Sequence, residues 1–195
     1  MNLPNLLSLL RIILTPLFII LLFSESSSNK ILALIVFAVA AITDAYDGHL
    51  ARKYNLITPE GKFLDPLADK ILVLSAFFSF AFIGLIDFWM VWIISFRDLF
   101  ITGLRLIISS KGFEFVTSNL SKYKTAFQLT IIILTLIFLT IEGFNIDQLM
   151  PTLDLIKDYK IIYILTMFTA IFTAYTGIIY LYTNRIVIKD FINNS

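Results

Sequence analysis

The sequence predicts an all-α integral membrane protein with six transmembrane helices, folded as a single domain over residues 1–195. One observation is composition: 58% of the residues are hydrophobic and 15% are charged, whereas a soluble domain carries about 25% charged residues. Another is the mean hydropathy of +0.89. The third is the recurrence of apolar runs near the length of roughly 20 residues that crosses about 30 Å of hydrocarbon. Together these runs leave no room for a separate soluble domain.

The apolar runs are separated by short polar segments that predict turns and loops. The first run follows a short amphipathic start over residues 1–10 and has no small-residue cleavage site after it, so we expect the run to be retained rather than removed as a signal peptide. Pro16 is expected to start or kink the first helix. The acidic segment 142–160 is expected to be a solvated exterior loop. The six runs cover residues 6–23, 31–46, 67–86, 88–108, 125–141 and 161–182.

The charged residues predict the orientation and exclude several classes of protein. When loops alternate across the membrane, 12 of the 15 Lys and Arg residues fall on one side. The positive-inside rule makes that side cytoplasmic, together with both termini and the polar segment between the second and third apolar runs. A formal net charge of +1 gives no field that would attract nucleic acid. With no Cys and one His, the chain has no disulfides and no thiolate or His-rich zinc site, so any metal would need carboxylate ligands.

Four aspartates stand at the end of the second apolar run and the start of the third: Asp44, Asp47, Asp65 and Asp69. Each carboxylate inside a transmembrane segment costs about 2.5–3.5 kcal/mol of insertion free energy. Four buried carboxylates therefore need partners that offset this cost. Spacings of three and four residues place each pair on one face of a helix, and a helical hairpin would gather all four. Hard carboxylate oxygens suit Mg²⁺ or Mn²⁺. We therefore expect two divalent ions, in a clamp of the kind used for phosphoryl displacement.

Small residues and an arginine between the two pairs fit a phosphorylated ligand. Gly48 has no Cβ, and Ala51 is small one turn later, so a flat or bulky ligand would have room against this helix face. Arg52 offers a planar fork that suits phosphate. Gly61 is expected to allow a close approach or a positive φ just before the third helix.

These eight positions resemble, without a departure, the defining motif of the CDP-alcohol phosphatidyltransferase family: Asp44-x2-Asp47-Gly48-x2-Ala51-Arg52-x8-Gly61-x3-Asp65-x3-Asp69. The resemblance implies a six-helix membrane enzyme that is usually a homodimer. Such an enzyme opens the pyrophosphate of a CDP-linked lipid with an alcohol and releases CMP.

The resemblance also implies roles for the motif residues. The residue that matches Asp69 is a metal ligand or the base for the attacking hydroxyl. Two divalent ions are held by the residues that match Asp44, Asp47 and Asp65. The cytidine nucleotide is expected to contact the positions of Asp44, Gly48, Ala51, Arg52 and Gly61.

Basic residues outside the motif bear on the identity of the acceptor. Arg97 and Arg105 lie eight residues apart in the fourth run, close to one helical face, and Lys122 and Lys124 precede the fifth run. A cationic cluster of this kind suits an acceptor that is itself a phosphate ester. Two other interpretations remain open: an internal pair of Arg97 with Asp98, and lysines that only follow the positive-inside rule.

Four sequence blocks resemble the bacterial phosphatidylglycerophosphate synthase branch of the family: residues 2–11, 64–73, 97–105 and 121–128. Asp98 stands where Glu is more often expected in this branch. The resemblance implies that CDP-diacylglycerol and sn-glycerol 3-phosphate are the substrates and that the protein resides in the bacterial plasma membrane. Alternative acceptors are phosphatidylglycerol, as in cardiolipin synthase, inositol phosphate and serine. A divalent-cation transporter and a catalytically inactive scaffold are alternatives of other classes.

Overall fold

The computed structural model of the chain is a bundle of α-helices. It describes the backbone of residues 3–53, 59–112, 115 and 119–193, and the side chains of residues 9–43, 68, 70–112, 115 and 120–193. Six helices are long: α1 (Leu3–Leu22), α2 (Ser27–Lys53), α3 (Pro59–Phe82), α4 (Phe88–Ser110), α5 (Asn119–Phe144) and α7 (Ile161–Thr183). Two helices are short: α6 (Met150–Asp158) and α8 (Arg185–Asn193).

The long helices follow the predicted apolar runs, with local signals that set their ends. The third run continues to residue 86, but α3 ends at Phe82 because the chain turns at Gly84, whose φ is +85°. The Gly84 N–H donates to the carbonyl of Ala81 at 3.1 Å, and the Leu85 N–H donates to that of Phe80 at 3.0 Å. This bonding pattern is a Schellman motif, which needs a left-handed residue and therefore favours glycine.

Six helix pairings position the elements that concern function. α1 packs against α2 and α3, α5 packs against α2 and α7, and α4 packs against α3 and α7. Buried aromatic rings join the first two helices, where the ring centroids of Phe18 and Phe37 lie 5.4 Å apart. This arrangement sets α3, which carries half of the aspartate motif, beside α4, which carries Arg97.

Two helices in the described part of the chain are long and apolar enough to cross a membrane, at Leu120–Phe144 and Ile161–Thr183. Shorter apolar helical stretches cover Leu9–Leu22, Ser27–Thr43 and Lys70–Phe82. Large side chains on α7 are exposed, including Phe168 at 55% and Ile178 at 69%. Exposed apolar surface of this kind suits contact with lipid. Six membrane crossings stay a prediction.

The N-terminal segment differs from the expectation. α1 runs without interruption from Leu3 to Leu22, so the amphipathic start belongs to the first helix, and Pro16 lies inside that helix rather than starting it. A proline in a helix interior removes one backbone hydrogen bond. Tertiary packing offsets this loss, because Phe18 and Leu22 in the following turn are buried in the core.

Most residues of the segment 142–160 are exposed, as predicted for a solvated segment, but the prediction of a loop is wrong for most of it. α5 continues to Phe144, and α6 occupies Met150–Asp158. Leu153 is only 3% exposed and belongs to the core, where α6 packs on α5 and α7. The apolar residues that line this contact recur at a helical spacing among the acidic ones: Leu149, Leu153 and Ile156.

An ion pair ties this segment to the end of α5. The Lys157 Nζ donates to Glu142 Oε1 at 2.7 Å. This hydrogen bond, with the charge of the carboxylate, raises the pKa of Lys157. Both side chains are accessible to solvent, so the pair adds little to stability; the buried Leu153 is what holds α6 in place.

We expect Leu153→Ala to lower the free energy of unfolding by about 2–5 kcal/mol, because it removes buried methyl groups and leaves a cavity. Leu155→Ala is the matched control, since Leu155 lies in the same helix and is 54% exposed. Thermal unfolding in detergent, followed by circular dichroism, measures both variants. An equal loss in the two variants would contradict the docking of α6 through Leu153.

Candidate active site

The aspartate motif lies on two long helices. Asp44 and Asp47 fall within α2, and Asp65 and Asp69 fall within α3. The helical backbone at these positions is what the spacing argument requires, because residues three and four apart share a helix face. The four side chains lie outside the described residues, so the convergence of the carboxylates stays a prediction.

The expected nucleotide-binding positions divide between the same helices. Gly48, Ala51 and Arg52 lie in the last turns of α2. Gly61 lies inside α3, which begins at Pro59, and not before the helix as expected, because a proline is well tolerated in the first turn of a helix and starts α3 earlier than the apolar run. The side chains of Ala51 and Arg52 also lie outside the described part of the chain.

A buried ion pair joins α4 to α5. Asp98 and Lys124 are each 1% exposed. The Lys124 Nζ donates to both carboxylate oxygens of Asp98, at 2.6 Å and 2.8 Å. Two charges this deep in an apolar bundle are tolerated only when they neutralise each other and their hydrogen bonds are satisfied. Lys124, predicted to bind the acceptor phosphate, is thus also the counter-charge of Asp98.

Arg97, the residue before Asp98 on α4, is a second cation in contact with the Asp98 carboxylate. Its Nη1 donates to Asp98 Oδ1 at 3.1 Å, so the internal Arg97–Asp98 contact that the sequence left open is present. Its Nε and Nη2 are buried and have no hydrogen-bond partner among the described residues. The arginine stem lies against α7 at Gly177, where an added Cβ would come within 2.8 Å of Arg97 Cγ.

Polar side chains extend the cluster from α5 to α7. The Gln128 Nε2 donates to Asp98 Oδ2 at 3.3 Å and to Thr173 Oγ1 at 3.4 Å. Thr173 belongs to a stripe of buried threonines that faces the interior of the bundle: Thr166, Thr169, Thr173 and Thr176. The cluster therefore connects α4, α5 and α7 through hydrogen bonds.

The cluster also lies within electrostatic reach of α3. The positive charge of Lys70 acts on both Asp98 and Lys124. Lys70 is the residue after Asp69. The start of the third apolar run and the cationic cluster of α4 and α5 are therefore close enough to share an electrostatic environment.

The predicted acceptor-binding residues differ in burial and in the contacts that the structure shows. Arg97 and Lys124 meet at Asp98, whereas Arg105 and Lys122 have exposed side chains. Lys122 and Lys124 are two residues apart, so a helix directs them to different sides. Whether Arg105 and Lys122 contact a ligand stays a prediction.

Two members of the cluster were missed by sequence reasoning, although each carries a signal. Gln128 lies four residues after Lys124 in an apolar run, the spacing of neighbours on a helix face. Thr173 lies in a threonine pattern that recurs every three to four residues along α7. Polar residues at helical spacing within a membrane-length helix indicate a face that packs against polar groups.

We expect Asp98→Ala to lower the free energy of unfolding by about 3–5 kcal/mol, because it leaves Lys124 buried without its partner. The double variant Asp98→Ala/Lys124→Met should recover most of that loss, since an apolar pair in place of a buried ion pair is often neutral. Thermal unfolding in detergent compares the two. A double variant no more stable than Asp98→Ala would show that the pair is not coupled.

Comparison with known proteins places these residues in a family. A sequence model of CDP-alcohol phosphatidyltransferases matches residues 1–175. The CDP-diacylglycerol–glycerol-3-phosphate 3-phosphatidyltransferase of Rickettsia bellii (strain RML369-C) is 35% identical over 175 residues, which are 90% of this chain and 92% of that relative. The enzyme of the same name from Bacillus subtilis (strain 168) is 39% identical over 136 residues, covering 64% of this chain and 70% of that relative.

A third relative shares a shorter region. A probable phosphatidylglycerophosphate synthase of Mycobacterium tuberculosis (strain ATCC 25618 / H37Rv) is 40% identical over 114 residues, 57% of this chain and 54% of that protein. The residues matched by the family model include both the aspartate motif and the Asp98 cluster. The resemblance noted in the sequence is confirmed, and the chain belongs to the CDP-alcohol phosphatidyltransferase family.

Proposed function

We propose that this protein transfers the phosphatidyl group of CDP-diacylglycerol to sn-glycerol 3-phosphate, giving phosphatidylglycerophosphate and CMP. The names of its relatives in Rickettsia bellii and Bacillus subtilis support this activity. The observation that carries the choice of acceptor is the cluster at Asp98, where one carboxylate faces the cations of Arg97 and Lys124. An excess of positive charge in an apolar interior suits a phosphorylated acceptor better than serine or inositol.

Two divalent cations, Mg²⁺ or Mn²⁺, are part of the proposal. The candidate ligands are carboxylates only, a hard-oxygen donor set that fits these ions: Asp44, Asp47, Asp65 and Asp69. In α2 the two aspartates are three residues apart, and in α3 they are four residues apart. Residues at these spacings lie on the same face of a helix. When bound, the ions neutralise negative charge on the pyrophosphate and on the departing CMP.

The protein residues then perform two tasks. Gly48, Ala51 and Arg52 hold the nucleotide, with Asp44 and Gly61 beside them. Asp69, where it is not occupied as a ligand, takes the proton of the acceptor hydroxyl. The hydroxyl oxygen bonds to the phosphorus of the phosphatidyl group, and the bond between that phosphorus and the bridging oxygen of CMP breaks. CMP leaves with the electron pair of that bond.

The proposal places the protein in the bacterial plasma membrane with six crossings, cytoplasmic termini and a cytoplasmic active site, as a homodimer. Two helices of sufficient length and hydropathy support the membrane location, and the distribution of Lys and Arg supports the orientation. α8 has no buried residues and exposes Ile186 and Ile192 beside Lys189. Such an amphipathic helix suits the interface between lipid and water.

CMP release by the purified protein tests this function. We expect release that requires CDP-diacylglycerol, sn-glycerol 3-phosphate and Mg²⁺ or Mn²⁺ together, and that chelation by EDTA abolishes. Release with phosphatidylglycerol, inositol phosphate or serine instead would keep the chemistry and overturn the acceptor. Metal flux in proteoliposomes without CMP release would favour a transporter, and neither activity would favour an inactive scaffold.

Asp69→Asn is expected to abolish turnover in a protein that stays folded, because the carboxamide keeps the shape but cannot accept a proton. A rate loss of at least about 10²-fold is expected, the size of a general acid–base contribution. Single-turnover CMP formation measures it, with thermal unfolding as the check on folding. Activity at the wild-type level would remove Asp69 from the mechanism.

A further inference from the structure

The guanidinium of Arg97 has one occupied end and one unoccupied edge. Nη1 donates to Asp98, whereas Nε and Nη2 are buried and have no partner among the described side chains. Nε and Nη2 point their N–H groups in the same direction, and together they form the fork that binds two oxygens of one carboxylate or phosphate.

Two buried, unpartnered donors on a cation require an explanation. Buried polar groups in folded proteins nearly always have a hydrogen-bond partner, and exceptions mark groups that serve a ligand, an ion or a catalytic step. Leaving such donors unpaired lowers the stability of the folded protein, because each buried N–H has lost its hydrogen bond to water. An oxyanion at this edge would satisfy both N–H groups and offset the positive charge that Asp98 leaves uncompensated.

Two features fix the direction of this edge. Asp98 holds Nη1, and its carboxylate is itself held by Lys124 from α5 and by Gln128. On the other side, the arginine stem passes α7 where residue 177 is a glycine. An added Cβ there would lie 2.8 Å from Cγ and 3.5 Å from Nε of Arg97. The side chain is therefore held on both sides and has little freedom to rotate.

We propose that Asp98 is a positioning residue for acceptor binding, which holds Nη1 of Arg97 so that its Nε and Nη2 are presented as a fork to the phosphate of the acceptor. Gly177 is the second positioning residue, because its lack of a Cβ leaves room for the aliphatic part of the Arg97 side chain against α7. This inference rests on the proposed function and adds to it the edge that binds the phosphate and the residues that orient that edge.

The competing explanation is that the cluster only holds the helices together. Kinetics separate the two roles. A group that binds the acceptor equally in the ground state and the transition state changes KM for that substrate and leaves kcat unchanged. Loss of packing would lower stability, or impair both substrates alike, without selectivity for glycerol 3-phosphate.

Gly177→Ala is the decisive variant. Alanine favours a helix more than glycine does, so the added Cβ should move Arg97 without unfolding α7. Gly103→Ala is the matched control, because Gly103 is also helical and a Cβ there meets nothing within 4 Å. Asp98→Asn removes the anchoring charge, and Asp98→Glu restores the charge with a longer side chain.

Steady-state CMP release is measured for each variant against both substrates. In Gly177→Ala and Asp98→Asn we expect KM for glycerol 3-phosphate to rise about tenfold or more, the equivalent of one charge-assisted hydrogen bond. KM for CDP-diacylglycerol and kcat should stay within about twofold of wild type. Gly103→Ala should match wild type, and Asp98→Glu should recover most of the acceptor affinity.

Each other outcome counts against the inference. A folded Gly177→Ala protein with a wild-type KM for glycerol 3-phosphate overturns it, even where Asp98→Asn proves too unstable to assay. Equal increases in KM for both substrates would assign the cluster a structural role. Wild-type protein that releases CMP only with another acceptor would overturn the proposed function itself, a result visible before any variant is made.

Discussion

The carboxylate of Asp98 is the group on which the polar interior of this bundle depends. An ammonium and a guanidinium cannot be solvated by apolar helices, so Lys124 and Arg97 remain inside because Asp98 accepts hydrogen bonds from both. Gln128 carries the same network on to Thr173 in α7. One residue thus links three helices that hydrophobic packing alone would leave free to slide, because contacts between apolar side chains are not directional.

The negative and the positive residues of the candidate site belong to different helices. The four aspartates belong to α2 and α3, and the paired cations belong to α4 and α5. α3 packs on α4, and Lys70 of α3 adds positive charge that reaches Asp98. Charged groups inside a membrane are costly and are usually paired. A phosphorylated substrate beside Arg97 and Lys124 would supply the negative charge that Asp98 alone does not.

Local signals in the sequence predict the helices of this protein better than the contacts between them. The six long helices follow the apolar runs, and the aspartate motif led to the family, because both signals are local in the chain. The Arg97–Asp98 contact was foreseen as a possibility, since the two residues are adjacent. The partnership of Asp98 with Lys124 was not, because the residues are 26 positions apart. The helix α6 is not predicted, because the acidic residues of this segment suggest a solvated loop. The helical spacing of its apolar residues is the signal that leads to the buried Leu153.

The sequence by itself determined the class of chemistry. The type of side chain decides which ions a carboxylate can bind and which charges an arginine can pair with. The spacing of the motif indicates the family before the fold is known. Only the tertiary structure decided how the basic residues differ: Lys124 neutralises a buried anion, Arg105 stays exposed, and Arg97 keeps one edge without a partner among the described residues. The physical reason is that a charge is neutralised by its neighbours in space, and these come from helices that meet only when the chain is folded.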